Sequence, residues 1–339
     1  MKNSELHKLL IKLNLENTVF YKNEQDGSYD FDFHPDILNK IKRISPDAVY
    51  VFNNQPLLLF FDLTNSDDLN KESEIHKKVW SFDNSPIVFI LKDKDISIYN
   101  ALNYIKNKDG RGGYLQEVEI SDEERDEKFS FWSLQSGETW AWFQDEYLSK
   151  KNENQTRVNQ RLFQNIKDVR NYLTDKTKSN FLDEKSANSL ILRLIFIRYL
   201  IDRGIKIDEA YISGESLNEK RKKFVLLISE PEKLNQLFER LNDNFNGVLF
   251  KETDIKLNQI QANYLADVFK GELEQQGSLF EGSFFEIFDF SIIPVEVISG
   301  IYESLIDDET KDLDSAVYTP SFLVDYILSD TVDKYLNQN

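Results

Sequence analysis

Cysteine is absent from this 339-residue chain, which excludes structural disulfides and cysteine-ligated zinc. Histidine is scarce: three scattered residues do not make a histidine-rich metal centre. No apolar run reaches the roughly 20 residues that a helix needs to span a bilayer, so no membrane is expected among the partners. The opening MKNSELHKLLIKLNLEN carries charges throughout and has no apolar core, so it does not read as a signal peptide. The simplest expectation is a cytoplasmic protein. Positive charge is also in short supply, with a formal net charge of −18. That total argues against phosphate binding over the whole surface, because phosphate contacts rely on Lys and Arg. It leaves room for a local basic groove.

The chain is rich in core-forming residues. Forty per cent are hydrophobic and 13% aromatic, enough for two or three domains. Residues 4–15 have the spacing of a short amphipathic helix. SPDAVYVFNNQPLLLFFDLTN carries two β-rich runs around Asn53-Asn54-Gln55-Pro56, which predicts a hairpin. ESEIHKKVWSF has helical periodicity through Ile75, Val79 and Phe82. SPIVFILKD reads as a buried strand and DISIYNAL as another. From about residue 150 the pattern turns helical, and the apolar segment KSANSLILRLIFIRYLIDRG ends at Gly204, a normal helix stop. The expected class is α+β, a small α/β domain followed by a mostly helical one. Between them lies a segment with Trp132, Trp140 and Trp142. Those rings are expected to pack a junction between the two domains, the alternative being a platform for stacked bases.

Two aspartates stand out. With the turn near residues 53–55, Asp47 falls opposite residue 61 or 62, which makes Asp62 its neighbour across the ladder. Carboxylates that close repel unless a cation lies between them, and oxygen ligands suit Mg²⁺. The other reading is that Asp47 and Asp62 are ordinary turn and edge residues. The order Ser45-Pro46-Asp47, then Asp62-Leu63-Thr64, then a helix with His76, Lys77 and Lys78, then SPIVFIL, resembles the PD-(D/E)xK nuclease fold over about the first hundred residues. The resemblance implies Asp47 and Asp62 as metal ligands and catalytic carboxylates. The family's lysine is replaced by Thr64, which carries no positive charge for the scissile phosphate. A degenerate nuclease fold, kept for DNA contact or domain packing, is therefore expected. An active enzyme would need Lys77 or Lys78 to reach in from the helix.

Basic residues recur among the helices, and Arg157, Arg161, Arg170, Arg221, Lys222 and Lys223 are candidate phosphate contacts. Leu192 to Gly204 resembles a helix upstream of the catalytic domain in adenine-specific DNA methyltransferases of the type I and type IIG restriction-modification class. Leu241 to Gly247, with Leu249-Phe250, resembles a second stretch of that class, and Ile293 to Glu303 a third. Tyr318-Thr319-Pro320 resembles the segment that lies against bound S-adenosylmethionine there. The resemblance implies that Tyr318, Thr319 and Pro320 form one wall of a cofactor pocket. It also implies double-stranded DNA and a specificity region or subunit as partners.

The glycine-rich cofactor strand and the Asn-Pro-Pro-Tyr segment of that class do not occur in the sequence. The expectation is an N-terminal portion whose catalytic core lies outside this chain. The expected organisation is a nuclease-like domain over residues 1–110, an aromatic-rich connector over 111–150, a helical DNA-binding or scaffold domain over 151–315, and the first segment of a methyltransferase core over 316–339. The alternatives are an Mg²⁺-dependent DNA endonuclease with a helical DNA-binding domain, and a non-enzymatic protein whose acidic surface mimics DNA.

Overall fold

The computed structural model describes residues 4–64, 66, 71–93, 95–106, 113–148, 157–178, 181–244, 249–250, 257–270 and 285–306. Within them a two-residue turn starts the sheet. Asn53 and Asn54 both have positive φ, 48° and 60°, which asparagine tolerates and which suits the right-handed twist of a hairpin. The turn joins β2 (Ala48–Phe52) to β3 (Gln55–Asp62). A bulge between Tyr50 and Val51 lies next to Pro56, where the ladder can do without an N–H.

On one side β2 pairs with the short β1 (Val19–Tyr21). On the other, the chain leaves β3, forms α3 (Lys71–Phe82) and returns as β4 (Ile87–Lys92), parallel to β3. Then β5 (Asp95–Lys106) and β6 (Gly113–Glu117) complete a six-stranded mixed sheet in the order β1-β2-β3-β4-β5-β6. The protein is α+β.

LLLFF in β3 and IVFIL in β4 are continuous apolar runs because both faces of the sheet are covered. One face presents Tyr50, Leu58, Phe60 and Phe89 to α1 (Glu5–Lys12) and to the helices that follow the sheet, α4 (Asp122–Lys128), α5 (Phe131–Ser136) and α6 (Glu138–Phe143). A single π-helical turn, Gln144–Leu148, ends that layer. The other face, with Val49, Leu59, Phe61, Val88 and Ile90, packs on α2 (Pro35–Ile44) and α3.

The core of the second face runs without a break into the helical region. That region comprises α7 (Val158–Thr174), α8 (Glu184–Asp202), α9 (Leu217–Ile228), α10 (Pro231–Asn244), α11 (Gln259–Lys270) and α12 (Val295–Ile306). Helix α8 is the hub, with α7, α9 and α12 packed on it. It is apolar nearly all round, as a buried helix should be, and Gly204 at φ 73° terminates it.

Two expectations are corrected. The boundary at residue 110 cuts through the sheet, since β6 lies beyond it. The aromatic segment is not a junction between domains: Phe129, Leu134 and Phe143 cover the outer face of the sheet, and Gln135 donates to the Tyr50 hydroxyl at 2.8 Å. The joining ring is Trp80, fully buried, stacked on Tyr104 at 4.8 Å and on Phe288 at 5.3 Å. The joint also carries the Asp289 amide on the Ser81 hydroxyl, at 3.0 Å, and Arg157 on Asp83, at 3.0 Å. Residues 316–339 lie outside the described residues. No helix among the described residues is long and apolar enough to cross a membrane.

Candidate functional site

Asp47 sits one residue before β2 but already in the sheet, its N–H on the Phe60 carbonyl at 2.8 Å and its C=O receiving the Lys22 N–H at 3.0 Å. The register Ala48↔Phe60 sets Asp47 opposite Phe61, within the expected range. Strand alternation turns the next side chain, Asp62, the other way. The Asp47 carboxylate therefore meets the amide of Asp62, which donates to Oδ2 at 2.7 Å. Asp62 Oδ1 in turn accepts the Thr64 hydroxyl at 2.6 Å and the Thr64 N–H at 3.2 Å. Thr64 thus closes off an oxygen of Asp62 from the position where the resemblance expects a lysine.

Both carboxylates are partly buried. Burial holds the Asp47 carboxyl above the usual carboxylate range, and the Asp62 charge adds to this. The Asp62 amide and the charges of Lys22 and Lys71 pull the other way. Tyr29 lies alongside, its hydroxyl donating to the Pro46 carbonyl at 2.6 Å. Burial first, and Asp47 second, push that hydroxyl far up, so it stays protonated.

The pair offers oxygen ligands alone, which suit a hard cation such as Mg²⁺ and no soft metal. It falls short of a full ligand set, since no group of three or more His, Cys, Asp or Glu able to hold a metal occurs among the described residues.

Lys77 does not join them. Its ammonium is bound to Glu286 at 2.8 Å in the joint, where burial lowers its pKa and the charges of Arg221 and Arg198 add to the effect while Glu286 opposes it. The expectation that Lys77 serves the aspartates gives way because α3 turns this residue toward the helical region. The cations whose charges act on Asp47 are Lys22 and Lys71, at the end of β1 and the start of α3. Sequence reasoning missed both, since neither stands at a motif position.

The basic candidates are spread over two helices. Arg157 is committed to Asp83, through the carboxylate at 3.0 Å and the carbonyl at 3.2 Å. Arg161 and Arg170, on α7, are partly buried, and burial lowers the pKa of Arg161 while Asp168 opposes this. Lys222 and Lys223 are exposed on α9, and Lys223 donates to the Ser213 hydroxyl at 2.6 Å.

Arg221 is corrected. It forks onto both oxygens of Asp202 at 2.7 Å, while Arg198 reaches the same carboxylate at 2.8 Å. Its guanidinium is therefore spent inside the fold and not on phosphate. The Arg198–Asp202 spacing of four residues was a readable signal. Tyr318, Thr319 and Pro320 lie outside the described residues.

Comparison with family models, curated proteins and solved structures gives no match to this chain.

Proposed function

We propose that this chain is the N-terminal portion of a restriction-modification adenine-specific DNA methyltransferase, contributing DNA contact and domain scaffolding, with the catalytic core outside the chain. The observation that carries this reading is the way the resembling stretches meet. The Arg193 guanidinium, from the first stretch on α8, donates to the Leu249 carbonyl of the second at 2.7 Å. Arg203, at the end of α8, donates to the Ile293 carbonyl of the third at 3.1 Å. Phe250 packs with Phe196 and Phe238 around the Arg193 side chain. Segments far apart in sequence thus form one packed unit around α8, as a shared module would require.

In this reading Tyr318, Thr319 and Pro320 are one wall of the S-adenosylmethionine pocket, and the cofactor supplies the methyl group. The α/β region is a nuclease-like module without cleavage activity. Thr64 caps Asp62 where a lysine would stand, and Lys77 is held by Glu286. Its partners are double-stranded DNA and a specificity region or subunit.

A second reading, an Mg²⁺-dependent endonuclease, draws on one observation: Lys22 and Lys71 act on Asp47. Either would supply the positive charge that Thr64 lacks. Asp47 and Asp62 would hold Mg²⁺, which supplies Lewis acidity at the phosphate.

One experiment separates the readings. The chain is titrated with duplex DNA at low and moderate salt, with and without Mg²⁺. The leading reading expects binding that weakens about tenfold or more between 50 and 200 mM salt, without cutting. Mg²⁺-dependent cutting abolished by Asp62→Ala would establish the endonuclease instead. No duplex binding at low salt would overturn both.

A further inference from the structure

The outer layer of the sheet carries a feature that neither DNA reading uses. Trp132 is 72% exposed and Trp140 is 41% exposed. Their helices contribute to the core through other residues, α5 through Leu134 and α6 through Thr139 and Phe143. The helices are also firmly placed. Ser133 donates to the Glu127 carbonyl at 2.7 Å and Thr139 to the Lys128 carbonyl at 2.6 Å, which fixes both against the C-terminal end of α4. The indoles are thus presented from an ordered platform, Trp132 edge-on to Phe131 at 5.1 Å and Trp140 stacked on Phe143 at 6.2 Å, with much of each ring left in water.

The segment that carries them is one-sided in charge. Residues 119–148 hold nine carboxylates and two cations. One of the two cations, Arg125, is buried and bound to Asp122 at 2.6 Å and to Asp126 at 2.8 Å. Glu123, Glu127 and Glu138 are exposed. Such a surround repels a phosphate backbone, which disfavours the base-stacking alternative for these tryptophans. It attracts guanidinium groups, which can pair with a carboxylate and also lie flat on an indole.

We propose that the α4–α6 face is a docking surface for an arginine-rich segment of a partner protein, with Trp132 and Trp140 as stacking platforms and the surrounding carboxylates as counter-charges. The face lies on the side of the sheet opposite the helical region, so the partner binds without competing for α7 or α9. The proposal does not rest on the methyltransferase reading and would stand if that reading fell.

The test uses the full chain and a fluorescent octa-arginine peptide, with a matched octalysine peptide. Both tryptophans are exposed, and each variant is first checked for folding by circular dichroism. Trp132→Ala is expected to weaken octa-arginine binding about fivefold. Glu123→Gln with Glu127→Gln should weaken it further. Glu232→Gln with Glu239→Gln, on α10, should leave it unchanged. Octalysine should bind the wild type more weakly than octa-arginine, because an ammonium does not stack. Equal affinity for the two peptides, an unaltered Trp132→Ala variant, or equal weakening by the α10 pair would overturn the proposal. So would quenching of these tryptophans by a single-stranded oligonucleotide, or self-association lost in Trp132→Ala, which would give the face to bases or to a second copy.

Discussion

Asp202 lies between the guanidiniums of Arg198 and Arg221, at 2.8 and 2.7 Å, and also accepts the Phe290 amide at 3.2 Å. Asp47, in the hairpin, accepts the Asp62 amide at 2.7 Å, and its cations act from further off. Burial pushes both carboxyls up. At Asp202 the two arginines more than reverse that and hold it below the usual range, whereas at Asp47 the push prevails. The first carboxylate has its counter-charge built into the fold. The second is left short of one, which is the condition of a group that can take a cation from outside.

The largest effect should come from breaking the built-in site. Asp202→Ala leaves Arg198, 2% exposed, without its carboxylate, and is expected to cost about 3–5 kcal/mol in urea unfolding. The Asp202 contribution is complete above the ordinary carboxylate pKa and is lost as pH falls through its lowered folded value. A loss under about 1 kcal/mol would mean that water reaches Arg198 and that the contrast with Asp47 is unfounded.

An intermediate case sharpens the comparison with a base. His76 is buried, and its Nδ1 accepts the Leu115 amide at 3.1 Å, which keeps the ring neutral. Burial pushes its pKa down to about 4, against a smaller upward pull from Glu72. The unfolded chain then binds the extra proton between about pH 4 and 6.5, so stability should rise with pH across that window and level off above it. The expected gain is about 3 kcal/mol, and His76→Gln should flatten the rise. An unchanged slope in the variant would assign the proton elsewhere.

At the hairpin the sign reverses. The raised Asp47 pKa means that ionisation of this group works against folding once pH passes the ordinary carboxylate value. Asp47→Asn keeps an oxygen for the Asp62 amide and should leave stability at pH 7 equal or higher by up to about 1 kcal/mol. If the pair takes Mg²⁺, the wild type gains thermal stability on adding it and the variant does not. The smallest effect is a titration: Lys22→Met should raise the Asp47 pKa further, while Lys77→Met should leave it in place, as read by NMR.

The strand–strand–helix–strand order was legible because each element has its own period, and Asn53-Asn54 marked the turn to within a residue. Helix α2 is legible only in part: Ile37, Leu38, Ile41 and Ile44 have helical spacing, but the segment is short and runs directly into Pro46-Asp47. The short edge strands β1 and β6 have too few residues to show alternation. The partner of Lys77 could not be read at all, because Glu286 lies 209 residues away and only the packing of Phe288 on Trp80 brings it near. Arginine ordinarily belongs to the wet face of a helix, yet α8 is apolar nearly all round and offers none. That inconsistency was the available hint that Arg193 and Arg198 are internal.

The stacking of Trp80 between Tyr104 and Phe288 also sets how this chain can be divided. A cut between Leu148 and Arg157 would break the covalent link but not the aromatic core. A protease nick there should leave a particle that still migrates as one species. Expressed apart, each piece would carry an uncovered aromatic face and tend to aggregate. Expressed together, the two should find each other, so fragment complementation, and not separate expression, is the way to take this protein to pieces.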